Sequence, residues 1–264
     1  MKIVWTVSTY NRPHLLPRTI RCFQEQTYAN RGMVILDDAA QYTRSDADMA
    51  VELLEENLWL ISRKERYASL GEKRNVAAHW AGVLFPGVKA IMPVDDDDIP
   101  LPWHTARAAE VLKTTPWSRP GVVLAPHRTG ERWAFVENYT GRRDDPTREK
   151  LYHPSWAFDL ATFWRVGGYP EGYSGSEDKH LMMRLARAGV PHGDPCEFGH
   201  PSYVYCWGHN NISGHLSRED PDGVKAWPTL AQEVQKAVLT PWVPPFDLHH
   251  PDIINQGSPL PRPF

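Results

Sequence analysis

The chain has 264 residues, 41% hydrophobic and 23% charged, with a formal net charge of −3. That length suits one large α/β domain or two small ones, and with a mild negative balance nothing global argues for binding nucleic acid or an anionic membrane, although local basic clusters could still bind phosphates. Cys22, Cys196 and Cys206 stand far apart in no metal-ligand spacing, which predicts a reduced, cytoplasmic setting, and neither a signal-peptide pattern nor an apolar run of membrane-spanning length is found.

Residues 2–8 (KIVWTVS) read as a first strand ending in polar residues. Asn11-Arg12-Pro13 opens a helix running to about Gln26, with proline early in its first turn. Met33-Val34-Ile35-Leu36 is a second strand closed by Asp37-Asp38. Residues 44–57 carry Ala47, Val51, Leu54 and Leu58 at helical spacing and predict a helix. Leu58-Trp59-Leu60-Ile61 is a third strand, residues 71–84 a helix, and residues 88–94 the next strand. A helix at about 102–114 and a strand at 121–125 follow. Residues 127–150 are polar, with Arg142, Arg143, Arg148 and Lys150, and read as a loop or small hairpin. A short helix is expected over 158–166, another over 177–188, a late strand over 202–206 and a last helix over 227–239. The proline-rich stretch 240–264 is a tail outside the domain. Strands alternating with helices predict a mostly parallel sheet covered on both faces, with ligands at the carboxyl ends of the strands. Residues 1–239 are thus one domain, a nucleotide-binding half over about 1–100 and a less regular acceptor half over about 101–239.

Asp95-Asp96-Asp97-Asp98 ends an apolar run. Neighbouring unit charges about 4 Å apart repel by about 1 kcal/mol in water and about 4 kcal/mol at an effective dielectric of 20, so the row gains the chain no stability. It suits either a solvated turn before a helix N-terminus or a hard divalent cation such as Mg²⁺ or Mn²⁺. On a continuing strand Asp95 and Asp97 share a side, whereas a turn presents Asp96 as well.

Five stretches in order resemble one family. Ser8-Thr9-Tyr10-Asn11-Arg12-Pro13 with Asp37-Asp38, then Gly71-Glu72-Lys73-Arg74-Asn75, then the aspartate row with Pro102, then Gly167-Gly168-Tyr169-Pro170-Glu171, then Ser176-Glu177-Asp178 with Arg184 are similar to the motifs of family 2 glycosyltransferases of the GT-A fold. The resemblance covers residues 3–189 and fades beyond about 215. It implies a transfer from a nucleotide-sugar, a UDP-sugar foremost, to an acceptor hydroxyl. Ser8, Thr9, Tyr10, Arg12 and Asp38 would then hold the nucleotide, and Arg74 would face the diphosphate or sugar. Asp97 would ligate Mn²⁺ or Mg²⁺ with Asp95 or Asp96 in support, leaving Asp98 to the following turn. His209, or its rival His215, would add a ligand. Asp178 would be the general base of an inverting reaction and Glu177 would orient the acceptor.

Each assignment has a plainer counterpart. Asp37 and Asp38 also suit a turn cap, Arg74 a surface ion pair, and Glu177-Asp178 a helix start capped by Ser176. Trp156, Trp164 and Trp207 could wall the acceptor site, although large apolar residues are more often core. A nucleotidyltransferase of similar fold would open with a glycine-rich phosphate loop where Ser8-Thr9-Tyr10 stands, and a catalytically silent sugar-nucleotide-binding module would not need Asp97 and Asp178. The acceptor, whether glycan, small molecule or a hydroxylated base in DNA, and the oligomeric state are not legible.

Overall fold

The computed structural model describes residues 1–12, 15–42, 48–129, 132–139, 153–199 and 201–205. In chain order these form β1 (Lys2–Thr9), α1 (Leu16–Gln24), β2 (Arg31–Asp37), β3 (Met49–Glu55), β4 (Leu58–Arg63), α2 (Leu70–Leu84), β5 (Val88–Asp95) and β6 (Ile99–Pro100). There follow α3 (His104–Val111), β7 (Trp117–Ser118), β8 (Val122–Thr129), β9 (Arg132–Tyr139), β10 (Ala157–Asp159), α4 (Leu160–Arg165), α5 (Glu177–Arg187) and β11 (Tyr203–Val204).

A seven-stranded sheet in the order β3-β4-β2-β1-β5-β10-β7 is the centre of the molecule. Four of its five inner strands, β4, β2, β1 and β5, run parallel, joined in part by βαβ crossovers. Both faces are covered, so these strands are continuous apolar runs rather than alternating ones. Ile3, Trp5, Val7, Met33 and Ile35 face one core with α1 and α3. Val4, Val34, Leu36 and Ile61 face the other with α2, α4 and α5. On the first side Trp5 Nε1 donates to Thr105 Oγ1 at 2.9 Å, fixing α3 to the centre of the sheet.

Two expectations are corrected. Residues 49–55 form the antiparallel edge strand β3 paired to β4, where a helix is predicted for 44–57. Edge pairing supplies backbone hydrogen bonds that a half-exposed helix would have to find alone, and the residues are β-competent as well as helix-spaced. Residues 157–159 are β10, antiparallel to β5, and only from Leu160 does the chain turn helical, with Asp159 capping α4 by accepting from the Thr162 amide at 2.7 Å. The strand expected at 121–125 is β8, which runs on to Thr129; within 127–150, expected as a loop or small hairpin, the described residues 132–139 form β9, antiparallel to β8. They join β6 and β11 in a second sheet, β6-β11-β8-β9. The predicted last helix (227–239), the tail (240–264), the basic residues at 142–150, His209, His215 and Trp207 lie outside the described residues. No helix among the described residues is long and apolar enough to cross a membrane.

Candidate active site

Strand register brings the sequence-predicted residues together. Thr9 pairs with Asp37 on one side of β1, and Ser8 with Asp95 on the other. The carboxyl ends of three adjacent parallel strands, β2, β1 and β5, thus lie side by side.

The four aspartates do not act alike. β5 ends at Asp95, and the chain turns there, the Asp98 amide donating to the Asp95 carbonyl at 3.3 Å. Asp96 is drawn back into the protein: it accepts from Thr9 Oγ1 at 2.7 Å and from Arg12 Nη1 at 2.9 Å, while its carbonyl takes Thr19 Oγ1 at 2.9 Å. Burial raises its carboxyl above the usual range, against the Thr9 and Arg12 contacts. The other three converge, with carboxylate oxygens of Asp95, Asp97 and Asp98 all within 4.8 Å of one another. That oxygen-rich, anionic donor set fits a hard divalent cation. Asp98, expected only to serve the turn, is 2% exposed and accepts from Tyr203 Oη at 2.9 Å. The Tyr203 proton is secure, because burial and Asp98 push its pKa well up. Burial, with Asp97, Asp96 and Glu177 adding to it and Arg74 opposing, lifts Asp95 to about 7; a third of its side chain stays open to solvent, which tempers the shift.

The first turn of α2 fastens this cluster to its surroundings. Ser69 caps the helix by accepting from the Glu72 amide at 3.1 Å, and Glu72 returns to the Ala68 amide at 2.9 Å. Gly71 lies so close to the 170–173 loop that a Cβ would strike the Pro170 carbonyl. The next three side chains go three ways. Lys73 reaches the strand ends, pairing with Asp38 and donating to the Thr9 carbonyl. Arg74 pairs with Asp95 at 2.9 Å and with Glu177 at 3.3 Å, and contacts His153. Asn75 grips the Tyr169 backbone in both directions, donating to its carbonyl at 2.9 Å and accepting from its amide at 2.8 Å. Burial works against the Arg74 charge, but Asp95 and Glu177 outweigh it and hold its pKa above the ordinary value.

The nucleotide-side residues run from the rim, at Tyr10 and Arg12, into the protein, at Ser8, Thr9 and Asp38. Tyr10 is 43% exposed, with the Arg66 guanidinium 4.1 Å from its ring centroid. Arg12, a third exposed, touches Asp96 and Asp97. Ser8 Oγ is buried without a hydrogen-bond partner. Asp38 is 4% exposed and takes the Tyr67 amide at 3.1 Å as well as Lys73. Asp37 is turn-forming, accepting from the Ala39 and Gln41 amides and from Ser62.

On the far side, Glu177 is buried at the start of α5, while Asp178 is half-exposed one residue on. Ser176 occupies the N-cap position but its side chain caps nothing, since its backbone is left-handed (φ 65°). Trp156 is fully buried core and Trp164 is 41% exposed. Neither His153 nor Tyr169, both in contact behind Arg74, carries a sequence signal beyond the Gly-Gly-Tyr run.

A model of glycosyl transferase family 2 matches residues 5–154. The chain belongs to that family. Its fold is similar to that of S. aureus TarS (TM-score 0.57, 16% identity, 78% of this chain and 37% of that one). It is similar too to S. aureus TarS 1–349 in complex with UDP-GlcNAc (0.56, 15%, 80% and 60%). A third similar structure is the mannosyltransferase PcManGT from Pyrobaculum calidifontis in complex with GDP-Man and Mn²⁺ (0.51, 19%, 79% and 57%). The chain therefore spans less than two thirds of each, and the likeness is one of fold, the GT-A arrangement expected from the sequence. Among curated proteins there is no significant sequence match.

Proposed function

We propose that this family 2 glycosyltransferase moves a sugar from a UDP-sugar to an acceptor hydroxyl with a divalent cation, Mn²⁺ or Mg²⁺, and inversion at the anomeric carbon. The observation that carries the reading is the convergence of Asp95, Asp97 and Asp98 at one strand end, joined through the buried Arg74 to Glu177 at the start of α5. A cation held there supplies positive charge against the diphosphate as the glycosidic bond breaks. Tyr10 and Ser8, at the carboxyl end of β1, are assigned to the nucleoside, with Asp38 behind them. Arg12, exposed enough to turn, is placed for the diphosphate. Arg74 is engaged within the protein, so in this reading it shapes the site.

Asp178 takes the proton of the acceptor hydroxyl. The acceptor oxygen bonds the anomeric carbon from the face opposite the leaving group, and the carbon–oxygen bond to the diphosphate breaks with its electron pair leaving on the nucleotide. Glu177, fixed by Arg74, holds the start of α5 steady and so fixes where Asp178 points. The UDP preference is supported by the fold likeness to TarS 1–349, whose structure is in complex with UDP-GlcNAc. We assign residues 1–239 to one catalytic domain and place it in the cytoplasm, in keeping with the free thiols of Cys22 and Cys196.

Thermal unfolding with UDP, GDP and CDP, each with and without Mn²⁺, tests the donor reading. A Mn²⁺-dependent rise with UDP is expected, and no metal-dependent shift with any nucleotide refutes it. Asp178→Asn is expected to lower transfer by about 10²–10⁴-fold with UDP-sugar affinity retained; undiminished turnover removes Asp178 from the base role.

A further inference from the structure

His153 opens a short turn, His153–Ser155, and is 1% exposed. The rings of Trp156, Tyr169 and Phe158 surround it, with centroids at 5.1, 5.2 and 6.4 Å. Both imidazole nitrogens are engaged, Nδ1 with Arg74 Nη1 and Nε2 with Tyr169 Oη. A guanidinium has only donors and does not deprotonate in proteins. Nδ1 must therefore accept, the neutral ring carries its proton on Nε2, and Tyr169 Oη accepts that proton. The opposite arrangement, with Tyr169 donating to Nε2, would set an Nδ1 proton against the arginine. A doubly protonated ring would press two cations together in a dry pocket. Burial and the Arg74 charge both keep His153 well below the usual histidine range, in agreement with the geometry.

The consequence falls on Arg74. Its Nη1 faces Glu177 and His153 while Nη2 faces Asp95, so its plane is defined from three sides. Resting on the functional reading above, we propose that His153, set as the Nε2–H tautomer by Arg74 and held at Nε2 by Tyr169, is a positioning residue that orients Arg74 and thereby sets the cation-side carboxylate Asp95 against the acceptor-side helix bearing Glu177 and Asp178. It touches neither donor nor acceptor. Its work is to offer an acceptor where a lysine, a protonated histidine or an apolar residue would offer none.

Substitutions separate this from packing. His153→Leu keeps bulk and removes the acceptor; it is expected to lower both Mn²⁺ affinity and transfer rate about 10–100-fold, the usual scale for a group that orients a metal ligand. His153→Asn places an amide oxygen near the Nδ1 position and is expected to recover most of that loss, whereas His153→Gln, whose amide reaches the Nε2 position, is not. Leu and Asn behaving alike, or Gln rescuing as well as Asn, overturns the proposal. Two-bond ¹H–¹⁵N correlations of the wild-type protein are expected to show His153 protonated on Nε2, and an Nδ1–H pattern overturns it outright. Should His153→Leu fail to fold, Tyr169→Phe, which keeps the ring and withdraws Oη, is expected to lower Mn²⁺ affinity in the same direction; unchanged affinity counts against the proposal. A wild-type protein that transfers from no nucleotide-sugar sinks the functional reading instead, while the tautomer and the Mn²⁺ affinities still decide how Arg74 is held.

Discussion

Replacing Lys73 by methionine removes one cation from a buried pair whose side chains are 6% and 4% exposed. Unit charges about 3 Å apart at an effective dielectric of 20 attract by about 5–6 kcal/mol. Withdrawing each ion from water costs several kcal/mol, so the intact pair comes out near balance. The lowered pKa of Lys73 agrees, since burial outweighs the pull of Asp38. The single substitution is not balanced. Asp38 is left buried with the Tyr67 amide as its remaining partner among the contacts described, and the Thr9 carbonyl loses its donor. Loss of one partner of a buried pair costs about 3–5 kcal/mol. Lys73→Met should therefore lower unfolding free energy in urea by that amount. Asp38→Asn in the same background removes the stranded charge and keeps an acceptor for Tyr67, so the double variant should be at least about 2 kcal/mol more stable than additivity allows. A cycle that is additive within about 0.5 kcal/mol refutes the pairing as described.

Two further outcomes are expected. Burial lowers His104 to about 3, so between that value and about 6.5 the unfolded chain binds a proton that the folded chain does not. Its contribution is whole above about pH 6.5 and falls by about 1.4 kcal/mol per unit on acidification; His104→Phe, which can keep the contact with the Tyr203 ring, should flatten the pH dependence of urea stability by that slope, and an unchanged slope would refute it. Asp98→Asn should weaken Mn²⁺ binding about 10–100-fold, whereas Asp96→Asn, which loosens the Thr9 and Arg12 grips, should cost about 1–3 kcal/mol of stability with a smaller effect on the ion; isothermal titration and urea unfolding together distinguish them, and the reverse ranking would refute the division of the row.

The sheet was legible because KIVWTVS, MVIL and the run before Asp95 are apolar on both faces and stop abruptly at polar residues. Their shared end then follows from topology. The segment 49–55 was not legible, because Val51, Leu54 and Leu58 satisfy helical spacing while Met49, Val51 and Leu53 alternate as in a strand. At a half-exposed edge only the partner strand decides. Residues 157–159 make too short a strand to leave a period. Within the aspartate row, residue type says nothing about direction. Asp98 is settled by Tyr203, 105 residues downstream, and Asp96 by Thr9 and Arg12, more than 80 residues upstream. His153 announces nothing, since a lone histidine acquires meaning only from the arginine and tyrosine on its two nitrogens.

The first turn of α2 also bears on how such enzymes can be recombined. Lys73, Arg74 and Asn75 fasten the strand ends, the aspartate and helix α5, and the Tyr169 backbone within one turn of helix. Deleting one residue before them would rotate each by about 100° and release all these attachments at once. A chimera that joins residues 1–100 of this chain to a foreign acceptor half thus inherits an arginine whose partners at 153, 169 and 177 belong to the discarded half. Such crossovers should succeed only with donors that bring an acceptor at the first position and a carboxylate at the last, which gives a simple rule for choosing them.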